Sequence, residues 1–149
     1  MDNALSMTGL ALRAGRLETG EDAAGDACRE KRCRLLLTAS DAADNALGKA
    51  ERFAELGQCL LLPSPWSKAD LGAALGRGTC AMAAVTDLGL ALAIAEKLAQ
   101  AAPERYGEAA EKLRVKARRA EQRKAKKPGD VRRKRTAGKP VKYNRKNKK

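Results

Sequence analysis

Apolar residues along residues 4–100 alternate between helical spacing and short continuous runs. Leu5, Thr8, Gly9 and Leu12 fall on one helical face, and Gly15 suits a helix C-cap. A short extended piece is expected over Arg16–Thr19. Thr19 with Asp22 then resembles a capping box that opens a helix to about Glu30. The run from Leu35 to Ala39 reads as a strand buried on both faces. Ser40 or Asp41 is expected to cap the next helix, whose apolar face is Ala43, Ala46, Leu47, Ala50, Phe53 and Ala54, ending at Gly57. A second buried strand follows over Cys59–Leu62, stopped by Pro63 and Pro65. Ser67 is placed to cap a short helix to Leu75, with Trp66 and Leu71 at staple positions on either side of the cap. Ala81–Val85 reads as another strand. Thr86 is expected to cap a helix carrying Leu88, Ala91, Leu92, Ala95, Leu98 and Ala99 on one face. Strands and helices in alternation predict an α/β fold, a three-layer α-β-α sandwich around a small mixed sheet.

The pattern changes at Pro103, which suits the first turn of a new helix. From Glu104 to about Lys127 the sequence is charged nearly all round, with Leu113 and Val115 almost alone, so little burial is expected there. From Pro128 onward it is turn-rich and cationic, and disorder until bound is expected. The expected organisation is a folded domain over 1–102, a charged helix over 103–127 and a basic tail over 128–149.

Charge follows these boundaries. Residues 1–102 hold 11 basic and 13 acidic residues, a net −2, whereas 103–149 hold 20 basic and 5 acidic, a net +15. Such basic runs meet phosphate polymers or anionic membranes. No apolar stretch approaches the ~20 residues that a membrane span needs. Asp2 follows Met1 with no positive region before an apolar run, so no signal peptide and a cytoplasmic location are expected. In a reducing cytosol the four cysteines, Cys28, Cys33, Cys59 and Cys80, with no CxxC pair, read as small buried hydrophobes.

A catalytic reading has little to stand on. The chain has no histidine, and no HExxH, GxSxG or P-loop string. Glu21 and Asp22 sit where a helix dipole favours acidic residues, which accounts for them without catalysis. No enzyme activity, cofactor, metal or small-molecule substrate is expected.

Several segments in order carry a family resemblance: ALRAGRLETGEDA at 11–23, LLLTASDAADN at 35–45, LGAALGRGTC at 71–80 and AAVTDLGLA at 83–91. Over about residues 4–100 the chain resembles the L-seven-Ae / L-thirty-e ribosomal protein superfamily, and more closely its bacterial YlxQ-like branch. The resemblance implies an α-β-α sandwich that binds RNA, mostly at kinked internal loops called kink-turns. It implies RNA contacts at Gly20, Glu21, Asp22, Ala23 and Asp26, and at Arg77, Gly78, Thr79 and Cys80. The family's reader is a Gly-x-Asn-Glu-x-x-Lys string. Here Gly20 matches, but Asp22, Ala23 and Asp26 stand for the asparagine, glutamate and lysine. Ionised aspartate only accepts, where asparagine both donates and accepts, and Asp26 repels a phosphate that lysine would attract. Weak kink-turn recognition is therefore expected.

Arg13, Arg16, Lys31, Arg32 and Arg34, with Arg77, read either as RNA contacts or as ordinary solvated charges. In the C-terminal segment, KARRAEQRKAKK at 116–127 offers Arg118, Arg119, Arg123, Lys124, Lys126 and Lys127 to a phosphate backbone. RRKR adds Arg132, Arg133, Lys134 and Arg135. Only Tyr143 is interleaved, so little stacking or sequence selectivity is expected. The leading expectation is a non-catalytic RNA-binding protein, ribosome-associated or assembly-related, with RNA, chiefly rRNA, and ribosomal proteins as partners. The alternative is a protein-interaction module anchored to rRNA by its tail.

Overall fold

Leu35, Leu36 and Leu37 are all fully buried, so both faces of their strand are covered. The reason is visible in the full order of elements. The structure, a computed structural model, describes residues 3–126, with side chains as far as residue 123. In chain order these form α1 (Asn3–Arg13), β1 (Leu17–Thr19), α2 (Glu21–Arg29), β2 (Leu35–Thr38), α3 (Asp44–Gly57), β3 (Leu60–Pro63), α4 (Lys68–Ala74), β4 (Met82–Val85), α5 (Leu88–Ala101) and α6 (Pro103–Lys126). The sheet order is β1-β4-β2-β3. It is mixed: β2 runs parallel to β3, while β4 is antiparallel to both β1 and β2.

Period-two alternation divides the core. Leu17, Leu35, Leu37, Ala83 and Val85 face a layer that includes Ala4, Ala11, Leu71, Ile94 and Leu98 from α1, α4 and α5. Leu36, Met82 and Ala84 face Ala24, Ala27, Ala46, Ala50 and Ala54 from α2 and α3. The expected α-β-α sandwich is the observed one. The α2–α3 layer is lined largely by alanine, which lets those helices sit close to the sheet.

Local chemistry sets several ends. Gly15 has φ 73° and closes α1 as expected: its N–H donates to Leu12 O at 3.0 Å, and Arg16 N–H to Ala11 O at 2.8 Å. This is the paired Schellman pattern. Ser67 Oγ accepts from Asp70 N–H at 3.0 Å, the expected cap of α4. Trp66 and Leu71 beside it are both buried in one cluster.

Other expected caps are replaced. Asp87, not Thr86, caps α5, its Oδ2 accepting from Leu90 N–H at 2.9 Å. The residue before α3 is Ala43, with no side-chain cap, because Asp41 instead accepts from Lys68 N–H at 2.7 Å and Ser40 N–H donates to Trp66 O. The Thr19–Asp22 box does not form. Gly20 is the N-cap of α2, and Thr19 Oγ1 is taken by Arg77. Strand β3 lies at the sheet edge, so Leu60 and Leu61 are only half buried and Pro63 is accommodated.

The larger difference lies in α6. Tyr106, Ala109, Ala110 and Leu113 are buried, at the i, i+3, i+4, i+7 spacing of a core-facing stripe. Tyr106 also donates its hydroxyl to Pro63 O at 3.1 Å. The compact unit therefore runs over Met1–Leu113, past residue 102. Two alanines and a tyrosine among charges carried too weak an apolar signal to show this in the sequence. The second unit is Arg114–Lys149, of which the described part is helical to Lys126. Lys127 and the 128–149 tail lie outside the described residues.

Candidate nucleic-acid interface

Gly20 joins β1 to α2 with φ 89° and ψ 167°, a conformation that glycine adopts without steric penalty. Its N–H donates to Met82 O at 3.0 Å, which fixes the turn at the start of β4. With no side chain at the N-cap, the first-turn amides of α2 are left with the positive end of the helix dipole. Such a terminus attracts anions. Here Glu21 and Asp22 supply negative charge in that turn. Lys49 offsets part of it by binding Glu21 Oε1 at 2.9 Å.

The α4–β4 loop reaches the same place. Arg77 Nη1 donates to Thr19 Oγ1 at 2.6 Å, and a Cβ on Gly20 would stand 3.6 Å from that nitrogen. The guanidinium thus lies against the glycine turn. The loop is itself held tightly: Arg77 N–H donates to Gly72 O at 2.7 Å and Cys80 N–H to Lys68 O at 3.0 Å. Gly72 permits this, since a Cβ there would be 2.7 Å from Thr79 Cα. The two segments that the sequence singled out, Gly20–Asp22 and Arg77–Thr79, therefore form one surface. Arg77, Gly78, Thr79 and Asp22 are exposed. Cys80 is buried, with its thiol donating to Met82 O, and burial raises its pKa.

The remaining cations lie elsewhere. Lys31 and Arg32 follow the C-terminal end of α2, about 13 Å along a nine-residue helix from Gly20. Lys31 Nζ donates to Leu56 O. Arg32 pairs with Glu30 at 2.6 Å and Glu18 at 3.5 Å, and the bond to Glu30 raises its pKa. Arg16 and Arg34 also flank the other end of the sheet, through Arg16 O with Thr86 N–H and Arg34 N–H with Val85 O. Arg13 is exposed at the end of α1, beside a hollow lined by Leu5, Gly9 and Asp70. In the second unit, Arg118, Arg119 and Arg123 are exposed on α6, and Lys124 and Lys126 occupy its last turn and a half. Arg132, Arg133, Lys134 and Arg135 lie outside the described residues.

Asp26, where the resemblance would put a lysine, pairs with Arg29 at 2.8 Å, and Arg29 also lies 5.6 Å over the Phe53 ring. These residues and Glu21, Asp22, Lys49 and Arg52 line a mixed-charge hollow of about 450 Å³. Its carboxylates would repel phosphate. Trp66 is buried, which removes it as a base-stacking platform.

Sequence reasoning missed one grouping. Cys28, Cys33 and Cys59 come together, their sulfurs within 4.8 Å of one another. Burial, and then Cys59, push the Cys28 thiol up to about 11. A hydrogen bond with Cys59, and then burial, raise Cys33. The available signal was their position: each falls at or just after a helix end facing the start of a strand.

No protein-family model matches this chain, and no curated protein matches its sequence. Solved structures do. A protein of unknown function from Bacillus halodurans C is 27% identical with a TM-score of 0.60, over 65% of this chain and 97% of that one. The Giardia lamblia 15.5kD RNA binding protein is 18% identical with a TM-score of 0.52, over 64% of this chain and 82% of that one. At that identity the second likeness is one of fold. Among the described residues no helix is long and apolar enough to cross a membrane.

Proposed function

We propose that this chain is a non-catalytic RNA-binding protein of the L-seven-Ae / L-thirty-e type, in the YlxQ-like branch, acting on or near the ribosome. The observation that carries this reading is the single surface built from the Gly20 turn and the Arg77–Thr79 loop, clamped by Arg77 on Thr19. The resemblance puts RNA contacts at both segments, and the structural neighbour from Giardia is named as an RNA binding protein. The domain recognises the shape of a folded RNA, and the C-terminal segment supplies phosphate affinity.

The division of labour follows from charge. Residues 1–113 hold 13 basic and 16 acidic residues, a net −3, while 114–149 hold 18 basic and 2 acidic, a net +16. An acidic domain gains little from long-range attraction to phosphate, so the cations of 114–149 dominate affinity. That acidity also favours a second reading, in which the domain docks a basic ribosomal protein and the tail anchors it to rRNA. Crosslinking in cells, followed by sequencing of the bound RNA, tests the first reading. Crosslinks mapping to Arg77–Thr79 on one structured rRNA element support it. Crosslinks confined to the tail and spread over many RNAs move the conclusion to the second.

A further inference from the structure

Cys28 sits in the last turn of α2, Cys33 just before β2 and Cys59 just before β3. Two non-glycine residues in the left-handed conformation, Lys31 at φ 62° and Gln58 at φ 54°, turn the chain so that the cysteines converge. Their Sγ atoms lie within 4.8 Å of one another, with Cys28 and Cys59 4.0 Å apart, and none forms a disulfide.

We propose that these three cysteines form a binding site for one thiophilic d10 cation, Zn(II) or Cu(I). Thiolate sulfur is the ligand such ions select. Three sulfurs each ~2.3 Å from one ion stand about 4 Å apart, which the Cys28–Cys59 pair already matches. The remaining separations need only a sub-ångström adjustment. The three sulfurs are one another's neighbours in a single cluster. Cys80 supplies the contrast, since its thiol is spent on Met82 O. Cys59 is partly exposed, which gives the ion an entry path. On binding, each thiol loses its proton to solvent and three sulfur–metal bonds form. The resulting charge is −1 with Zn(II) and −2 with Cu(I).

The cluster is remote from the candidate nucleic-acid interface. Gly20 is bonded to Met82 at the start of β4, whereas Arg34, next to Cys33, is bonded to Val85 at its end. A bound ion would therefore tie α2, β2 and β3 together without occupying the Arg77 surface. The proposal is independent of the RNA-binding reading.

The test loads the reduced full-length protein anaerobically with Zn(II) or Cu(I) in separate arms, followed by desalting and metal analysis. The expected result in at least one arm is one retained ion per chain and a raised Tm. Cys28, Cys33 and Cys59 should then resist alkylation until a chelator is added. The arm that retains its ion under chelator competition identifies the metal. Cys33→Ser should lower affinity by more than the roughly 10–100-fold that loss of a residue merely orienting a ligand costs. Cys80→Ser should leave it unchanged. Retention of neither ion overturns the proposal, as does equal affinity in Cys33→Ser, or a Cys28–Cys59 disulfide in a protein that takes up no ion once reduced. If Cys33→Ser fails to fold, alkylation mapping on the unaltered protein decides: unprotected thiols at these three positions overturn the proposal.

Discussion

Arg77 Nη1 donates to Thr19 Oγ1 at 2.6 Å, joining segments 58 positions apart in sequence. The bond is exposed, so it adds little to overall stability. Its effect is to hold a guanidinium at the mouth of the glycine turn.

Arg77→Ala should therefore weaken RNA binding far more than it weakens the fold. Hydrogen bonds to charged groups contribute about 1.5–3 kcal/mol, which corresponds to roughly 10–150-fold in Kd. Thr19→Val removes only the acceptor and should cost less, about 1 kcal/mol. Filter binding on a structured RNA, with urea melts as the control, measures both. Wild-type affinity in Arg77→Ala would remove this surface from the RNA-binding site.

Gly72→Ala should destabilise the protein by about 1–3 kcal/mol, the cost of overpacking, because its Cβ would meet Thr79 Cα at 2.7 Å. The sign is diagnostic. Replacing an unconstrained helical glycine with alanine would instead stabilise by up to ~1 kcal/mol. Chemical denaturation distinguishes the two.

Leu113→Ala should cost about 2–5 kcal/mol, as for other fully buried leucines, because Leu113 lies in the core. Cutting the chain after residue 102 would remove Tyr106, Ala109, Ala110 and Leu113 together and should leave no cooperative melt. A truncated 1–102 protein as stable as the full chain would show that α6 contributes nothing to the compact unit.

The triple change Asp22→Asn, Ala23→Glu and Asp26→Lys should strengthen binding to a standard kink-turn, measured by gel shift against the unaltered protein. The substitution at Asp26 breaks its pair with Arg29, at a cost of only about 0.3–0.5 kcal/mol for an exposed helix pair. Tight, selective binding by the unaltered domain would show that these positions do not govern recognition.

Deleting 128–149 should flatten the salt dependence of binding and weaken all RNAs alike, because phosphate contacts carry no sequence information. If about six phosphates on single-stranded RNA are neutralised, log K falls with log salt at a slope of about −4. A fourfold rise in salt then costs ~2.4 log units, or ~3 kcal/mol. Salt titrations on several RNAs with both proteins provide the check. An unchanged slope would mean that this segment does not touch RNA.

The chain's own pattern determined the alternation of helices and strands, the capping of α4 by Ser67 and the turn at Gly15. These depend on local spacing and on backbone conformations that few residues adopt. The leucine run marked β2 as covered on both faces, whereas the split in charge at residue 102 fell short of the compact unit's end at Leu113. Tertiary structure alone decided the rest. Thr19 does not cap α2 because it ends β1, paired with Ala83, one residue before the Gly20 cap, and its hydroxyl is taken by Arg77 from another loop. The same holds for Asp41, which bonds Lys68 N–H rather than its own helix. The inward stripe of α6 is built from Tyr106, two alanines and Leu113, whose apolar signal is small among charges until a core is there to receive it. Cys28, Cys33 and Cys59 become neighbours only because β2 and β3 pair in parallel, which brings the starts of the two strands, and the helix ends before them, to the same edge of the fold.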